Sequence, residues 1–208
     1  MEEYMVPTGF GEDEFTEKKS RFIGRLWPVE TEEEALEKIQ EMKKKHYDAT
    51  HNCWAYILRD GAVRFSDDGE PGGTAGMPML QVLQREDLFN VVCVVTRYFG
   101  GILLGAGGLV RAYTKGAKIA VDAAGKSMKR VWTVLYLPCP YPFYERVKLA
   151  VEEYEGIIRK TEFGAEIDLE LLFPEARTQD FLTHLQDLTC GGVEAMELGT
   201  EYRAFPIE

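Results

Sequence analysis

Two stretches of this chain combine glycine with residue types that bind or transfer charge. The first reads Ser66-Asp-Asp-Gly-Glu-Pro-Gly-Gly-Thr-Ala-Gly-Met-Pro78, and the second runs from Thr96-Arg-Tyr-Phe-Gly-Gly101 through Gly105-Ala-Gly-Gly108 to Arg111, Thr114 and Lys115. Nine of the twenty glycines lie between Gly69 and Gly108. Glycine costs conformational entropy unless the backbone needs a positive φ or a close approach, so this density marks a functional surface. In the second stretch a strand leads through glycines into a helix, which gathers backbone N–H groups and a helix N-terminus where an anion can sit. The anion-binding or nucleic-acid-binding residues expected there are Arg97, Gly100, Gly101, Gly105, Gly107, Gly108, Arg111 and Lys115. The spacing is neither a Walker A loop nor a dinucleotide fingerprint, so no nucleotide cofactor is expected.

In the first stretch Asp67, Asp68 and Glu70 put three carboxylates within four residues, beside Gly72, Gly73 and Thr74. Such a turn can hold Mg²⁺ or supply an acid and a base. The favoured reading is a surface turn whose acids are solvated or pair with Arg97 or Arg111 across the loops, and metal binding is not expected. His51 and Cys53 are two residues apart, so on a strand both point to one face without the orienting third group that a nucleophilic pair needs. Core packing for Cys53 and an edge hydrogen bond for His51 are the expectation.

These residues need elements to hold them. Residues 19–29 read as a half-buried strand, and Thr31 with Glu34 forms a capping box opening a helix over 32–46. His51–Leu58 and Ala62–Ser66 form a hairpin around Asp60-Gly61, a helix starts at Pro78, and Val91–Arg97 is a central strand buried on both faces. A helix over 107–124 ends at Gly125. This order indicates an α+β domain with helices on one face of a mixed sheet. After Val131 the order β-α-β-β-α-β predicts a ferredoxin-like sandwich. Two domains are therefore expected, 1–130 and 131–208, joined by a short connection at 127–133.

Charge is divided unevenly between them. The 208 residues carry a formal −11, with 18 basic against 20 acidic residues in 1–130 and 6 against 15 in 131–208. From Arg97 to Arg130 the balance is +6, Asp122 being the lone acid. One face of an acidic protein can thus attract phosphates. The cysteines Cys53, Cys93, Cys139 and Cys190 are far apart and in no Cys-x-x-Cys pair, which predicts free buried thiols in a reducing compartment. The acidic N-terminus lacks a signal-peptide pattern and no apolar run is long enough to span a bilayer, so a cytoplasmic protein without membrane contact is expected.

Four ordered motifs carry a family resemblance: Lys18-Lys-Ser-Arg-Phe-Ile-Gly24, Ala49-Thr-His-Asn-Cys-Trp-Ala-Tyr56, the 66–78 stretch, and Val95-Thr-Arg-Tyr-Phe-Gly-Gly101 through Gly107-Gly-Leu-Val-Arg-Ala-Tyr113. Over about residues 16 to 125 the chain resembles the YigZ/IMPACT family, and the remainder resembles the smaller C-terminal domain of bacterial members. The resemblance implies a ribosomal-protein domain-2-like fold similar to domain IV of elongation factor G, followed by a ferredoxin-like domain similar to its domain V. It also implies translation regulation, which eukaryotic relatives perform by binding a large scaffold protein of the amino-acid starvation response. For bacterial members it implies association with nucleic acid or the ribosome, and it supplies no catalytic residues. The leading expectation is a non-enzymatic protein that binds RNA or the translation machinery, with a protein partner for the acidic C-terminal domain. The alternatives are a small metal-assisted hydrolase or phosphate-ligand enzyme built on Asp67, Asp68 and Glu70, and a pure protein-interaction module.

Overall fold

The computed structural model describes residues 3–207. The elements run β1 (Tyr4–Pro7), β2 (Gly11–Glu17), β3 (Ser20–Pro28), α1 (Glu32–Lys45), β4 (His51–Ile57), β5 (Val63–Ser66), α2 (Gly76–Arg85), β6 (Val91–Tyr98), α3 (Ala106–Ala124) and β7 (Lys126–Cys139). There follow a 3₁₀ turn (Tyr141–Phe143), α4 (Tyr144–Glu153), β8 (Ile157–Phe163), β9 (Ile167–Pro174), α5 (Glu175–Thr189) and β10 (Met196–Pro206). The chain forms two compact α+β units, one of Tyr4–Met128 with residues 204–207 and one of Lys129–Arg203 with Glu3. In place of a connection at 127–133, the single strand β7 runs through the boundary, because Val131-Trp-Thr-Val continues its apolar, β-branched run. Among the described residues no helix is long and apolar enough to cross a membrane.

The sheet of the first unit has the order β2-β3-β6-β4-β5, and each pairing is antiparallel rather than mixed. β6 is the middle strand. Its side chains alternate between two cores, so helices cover both faces and not one. Val91, Cys93 and Val95 pack with Phe22, Leu83, Tyr113 and Ala117 under α2 and α3. Val92 and Val94 pack with Ala35, Ile39 and Met42 of α1. The outer strand β2 was hidden from sequence reading by its composition, Gly-Glu-Asp-Glu-Phe-Thr-Glu. As an edge strand with solvated side chains it tolerates acids, and Glu14 and Glu12 pair with Arg21 and Arg25 of β3.

The starts of α1 and α2 differ in where the cap comes from. The Thr31 hydroxyl accepts the Glu34 N–H at 3.2 Å, while the Glu34 carboxylate reaches the Glu30 N–H at 2.6 Å, one residue beyond the expected box. α2 begins at Gly76, two residues ahead of Pro78, and its N-cap Ala75 has no side-chain cap. The cap comes from outside.

The second unit holds its strands in the order β10-β7-β9-β8, with β7/β9 and β8/β9 antiparallel. Numbered within the domain this is 4-1-3-2, the split β-α-β sandwich that its element order predicts. Leu135, Leu137, Leu169, Leu171 and Phe173 of the sheet pack against Val147, Val151, Phe181 and Leu185 of α4 and α5. Cys53, Cys93 and Cys139 are buried as expected, but Cys190 is exposed. It occupies the left-handed cap of α5 at φ 51°, outside the apolar run that precedes it.

Candidate functional site

Both glycine stretches meet at one end of the first unit's sheet, beyond the end of β6 and beside the start of β4. β4 and β6 run antiparallel with His51 directly opposite Arg97, and β3 places Phe22 opposite Arg97 on the other side. Opposed residues share a sheet face, so all three side chains lie toward the chain that returns from β5. That chain is the 66–75 loop.

The loop distributes its three carboxylates to three separate tasks. Asp67 turns inward and accepts the N–H groups of Gly73 (2.8 Å), Ala75 (3.0 Å) and Gly76 (2.8 Å). It therefore closes the loop and caps α2 from nine residues away, a negative charge at the positive end of that helix. The Thr74 hydroxyl donates to the Pro71 carbonyl at 2.6 Å and tightens the same turn. Asp68 pairs with Lys43 of α1 at 2.7 Å and accepts the Asn52 N–H at 2.7 Å. Of the three, Glu70 is the one bonded to α3, through the Tyr113 hydroxyl. Among the described residues no cluster of three His, Cys, Asp or Glu side chains could hold a metal ion, and the carboxylates do not converge as an acid and base pair would.

Glu70 sits in a buried polar knot. Its Oε1 accepts from Arg97 Nη1 at 2.6 Å and from the Tyr113 hydroxyl at 2.8 Å. The Arg97 and Glu70 side chains are 6% and 3% exposed. Arg97 thus points inward, against the expectation that it contacts phosphate. Its guanidinium lies over the rings of Phe22 and Phe99, with centroids at 5.5 and 5.4 Å, and its Nε is buried without a hydrogen-bond partner. Burial pushes the Tyr113 hydroxyl up, with the neighbouring Cys53 and Glu70 adding to the effect, so it remains a phenol that donates. Burial likewise pushes up the Cys53 thiol, which donates to the Asp67 carbonyl at 3.0 Å. A raised, fully buried thiol is no nucleophile.

His51 is the member that sequence reading placed only at a strand edge. Its Nδ1 bonds the Asp68 carbonyl at 2.8 Å, and its Nε2 stands 3.7 Å from Glu70 Oε2. The signal was available in the two-residue spacing from Cys53, since both had to face the loop that follows β5. A cavity of about 370 Å³ opens over this floor, walled by Thr50, Pro71, Phe99, Leu103, Leu104, Gly105, Ala106 and Leu109.

The second glycine stretch builds the adjoining surface. Gly105 has φ +73° and is the N-cap of α3, where no side chain caps the helix. The first N–H groups of a helix lack intrahelical partners, so those of α3 are open to an external acceptor. Gly107 is exposed and open, the nearest group being the Arg111 guanidinium at 3.6 Å from where its Cβ would stand. Arg111 and Lys115 share a second concavity of about 210 Å³ with Lys18, Glu17, Phe15, Leu104 and Gly108. Lys115 rests on the Phe15 ring at 4.4 Å. Gly100 ties this rim together, because the Lys19 backbone approaches to 2.0 Å from where a Cβ would be. Gly101, at φ +84°, completes the exposed turn. Gly72 lies in open space on the opposite loop. The structure thus brings Lys18, Arg111, Lys115 and Gly105–Gly108 together, with Arg97 and Glu70 below them and Asp67, Asp68, Gly73 and Thr74 holding the loop.

Comparison with known proteins agrees over most of the length. The Impact N-terminal domain family matches residues 18–121, and a domain of unknown function, DUF1949, matches residues 137–191. The chain is 38% identical over 196 residues to the IMPACT family member YvyE of Bacillus subtilis, covering 93% of this chain and 90% of that one. It is 35% identical over 187 residues to the IMPACT family member YigZ of Escherichia coli, covering 87% and 91%. The Protein IMPACT homolog of Dictyostelium discoideum is 42% identical over 106 residues, 48% of this chain and 30% of that longer one. A solved structure described as a hypothetical protein superimposes with a TM-score of 0.60 at 33% identity, covering 94% of this chain and 97% of the other.

Proposed function

The chain belongs to the IMPACT family, and from that premise we propose that it is a non-enzymatic, translation-associated protein that binds RNA, free or on the ribosome, at the N-terminus of α3. One observation carries the proposal: an uncapped glycine helix start flanked by Lys18, Arg111 and Lys115. Among the described residues neither Lys18 nor Arg111 makes an ion pair, and Lys115 makes only its contact with Phe15. Backbone N–H groups and the helix dipole favour a phosphate there, and uncommitted cations add attraction without first breaking a pair. Exposed Phe99, Ile102 and Leu103 stand beside them, and apolar or aromatic groups next to cations suit single-stranded nucleic acid, whose bases stack. The C-terminal domain, with 6 basic against 15 acidic residues after Arg130, repels phosphate and takes a protein partner.

Fluorescence anisotropy of a labelled single-stranded RNA tests this. Neutralising about three phosphates gives a loss of about twenty-fold in affinity on a fourfold rise in salt. Reversing Lys18, Arg111 or Lys115 to Glu weakens binding and flattens that slope. Absence of binding at low salt overturns the proposal.

A further inference from the structure

The cavity above Glu70 carries more information than its basic rim. Its floor presents two hydrogen-bond acceptors whose roles are set by their other partners. The Asp68 carbonyl can only accept, so His51 Nδ1 donates in their 2.8 Å bond, and in the tautomer with that single N–H the Nε2 lone pair is the ring's acceptor. Glu70 Oε1 is taken by Arg97 and Tyr113, whereas Oε2 makes no hydrogen bond among the described residues and lies 3.7 Å from His51 Nε2. Arg97 balances the carboxylate's charge, so the floor asks for neutral donors rather than a cation. The walls are Pro71, Phe99 and Leu104, which suit a flat apolar face.

Two adjacent acceptors in a neutral, flat-walled pocket call for a planar ring with two adjacent N–H donors on one edge. Among the common nucleobases guanine has this edge, in its N1–H and exocyclic N2–H₂. Adenine and cytosine place an acceptor beside their amine, and uracil flanks one N–H with two carbonyls. Gly105 and Ala106 line this cavity and also begin α3, so a base in the pocket leaves its phosphate at the open helix N-terminus.

We infer that the cavity over Glu70 and His51 is a guanine-selective pocket, filled by an unpaired guanine of RNA or by a free guanine nucleotide. This rests on the RNA-binding reading for its macromolecular ligand only. Glu70 Oε2 and His51 Nε2 take the two donors, and Phe99 stacks at the mouth.

Hypoxanthine keeps N1–H and lacks the amine, so the ligand can be altered without risk to folding. Titrations of the full chain with oligouridine pentamers carrying a central G, I or A, and separately with GMP, IMP and AMP, read the selectivity. Guanine binds about tenfold more tightly than hypoxanthine, the worth of one hydrogen bond, and adenine falls below both. His51→Leu, checked by circular dichroism, brings guanine down to the hypoxanthine level. Selectivity among pentamers alone supports RNA guanine as the ligand, and selectivity among mononucleotides alone supports the free nucleotide and removes the RNA reading. Salt-sensitive RNA binding without base preference overturns the pocket and leaves that reading standing. No binding by either series overturns both.

Discussion

The Arg97–Glu70 pair gives the sharpest test of how this site is held. Its atoms are 2.6 Å apart with both side chains nearly sealed from water, so screening is slight. At an effective dielectric of 20 and about 4 Å between charge centres the attraction is about 4 kcal/mol. Desolvation offsets much of this in the intact protein, but removing one partner leaves the other charge buried and uncompensated, at a cost of ~3–5 kcal/mol. Glu70→Gln keeps the volume and an acceptor for Tyr113 while stripping Arg97 of its anion. Arg97→Met strips Glu70 of its cation. The double variant buries no charge, so its cost falls below the sum of the singles by ~2 kcal/mol. Hydrogen exchange of the β4 and β6 amides measures this because those strands are central and report opening of their own domain. Either single variant costing under ~1 kcal/mol, or a double variant equal to the sum, refutes a buried, coupled pair.

Three further outcomes follow from the same geometry. Gly100→Ala forces a Cβ to 2.0 Å from the Lys19 backbone and destabilises by ~2 kcal/mol or more, whereas Gly107→Ala stabilises by up to ~1 kcal/mol; paired thermal melts that moved in the same direction would contradict this. Asp67→Ala removes the acceptor of three loop and helix N–H groups and costs ~1–3 kcal/mol, read as a lower melting temperature that Asp67→Asn partly restores. Burial, then Arg25 and Lys45, hold the His46 ring below its ordinary 6.5. The unfolded chain therefore takes up the proton first, and stability present above pH 6.5 is lost as pH falls toward the folded value. Denaturant midpoints across that window show the decline, and His46→Gln flattens it.

Much of the scaffold was legible in sequence because periodicity and punctuation are local. Thr31 and the 3.6-residue spacing of Ala35, Ile39 and Met42 announce α1, and the run Val91–Val95 announces a doubly buried centre strand. The acidic strand β2 escaped because an edge position relaxes the hydrophobic requirement. The count of helices per sheet face also escaped, since a strand buried on both sides does not say which helix covers which side. In the site, the glycine helix start with Arg111 and Lys115 could be read from spacing alone. The roles of Asp67, Asp68 and Glu70 could not, although they stand within four residues of one another.

Residue order alone determined that glycines, cations and carboxylates follow the ends of β5 and β6, since each element and its boundary is set by contacts a few residues apart. Tertiary structure decided what each charge does. A loop can aim adjacent side chains in different directions, and only the packed neighbours select among them. Lys43 and the Asn52 N–H claim Asp68, the α2 start claims Asp67, and Arg97 with Tyr113 claims Glu70. Arg97, which by spacing belongs to the anion surface, was drawn inside because burying its guanidinium required a carboxylate, and the fold brought one within 2.6 Å.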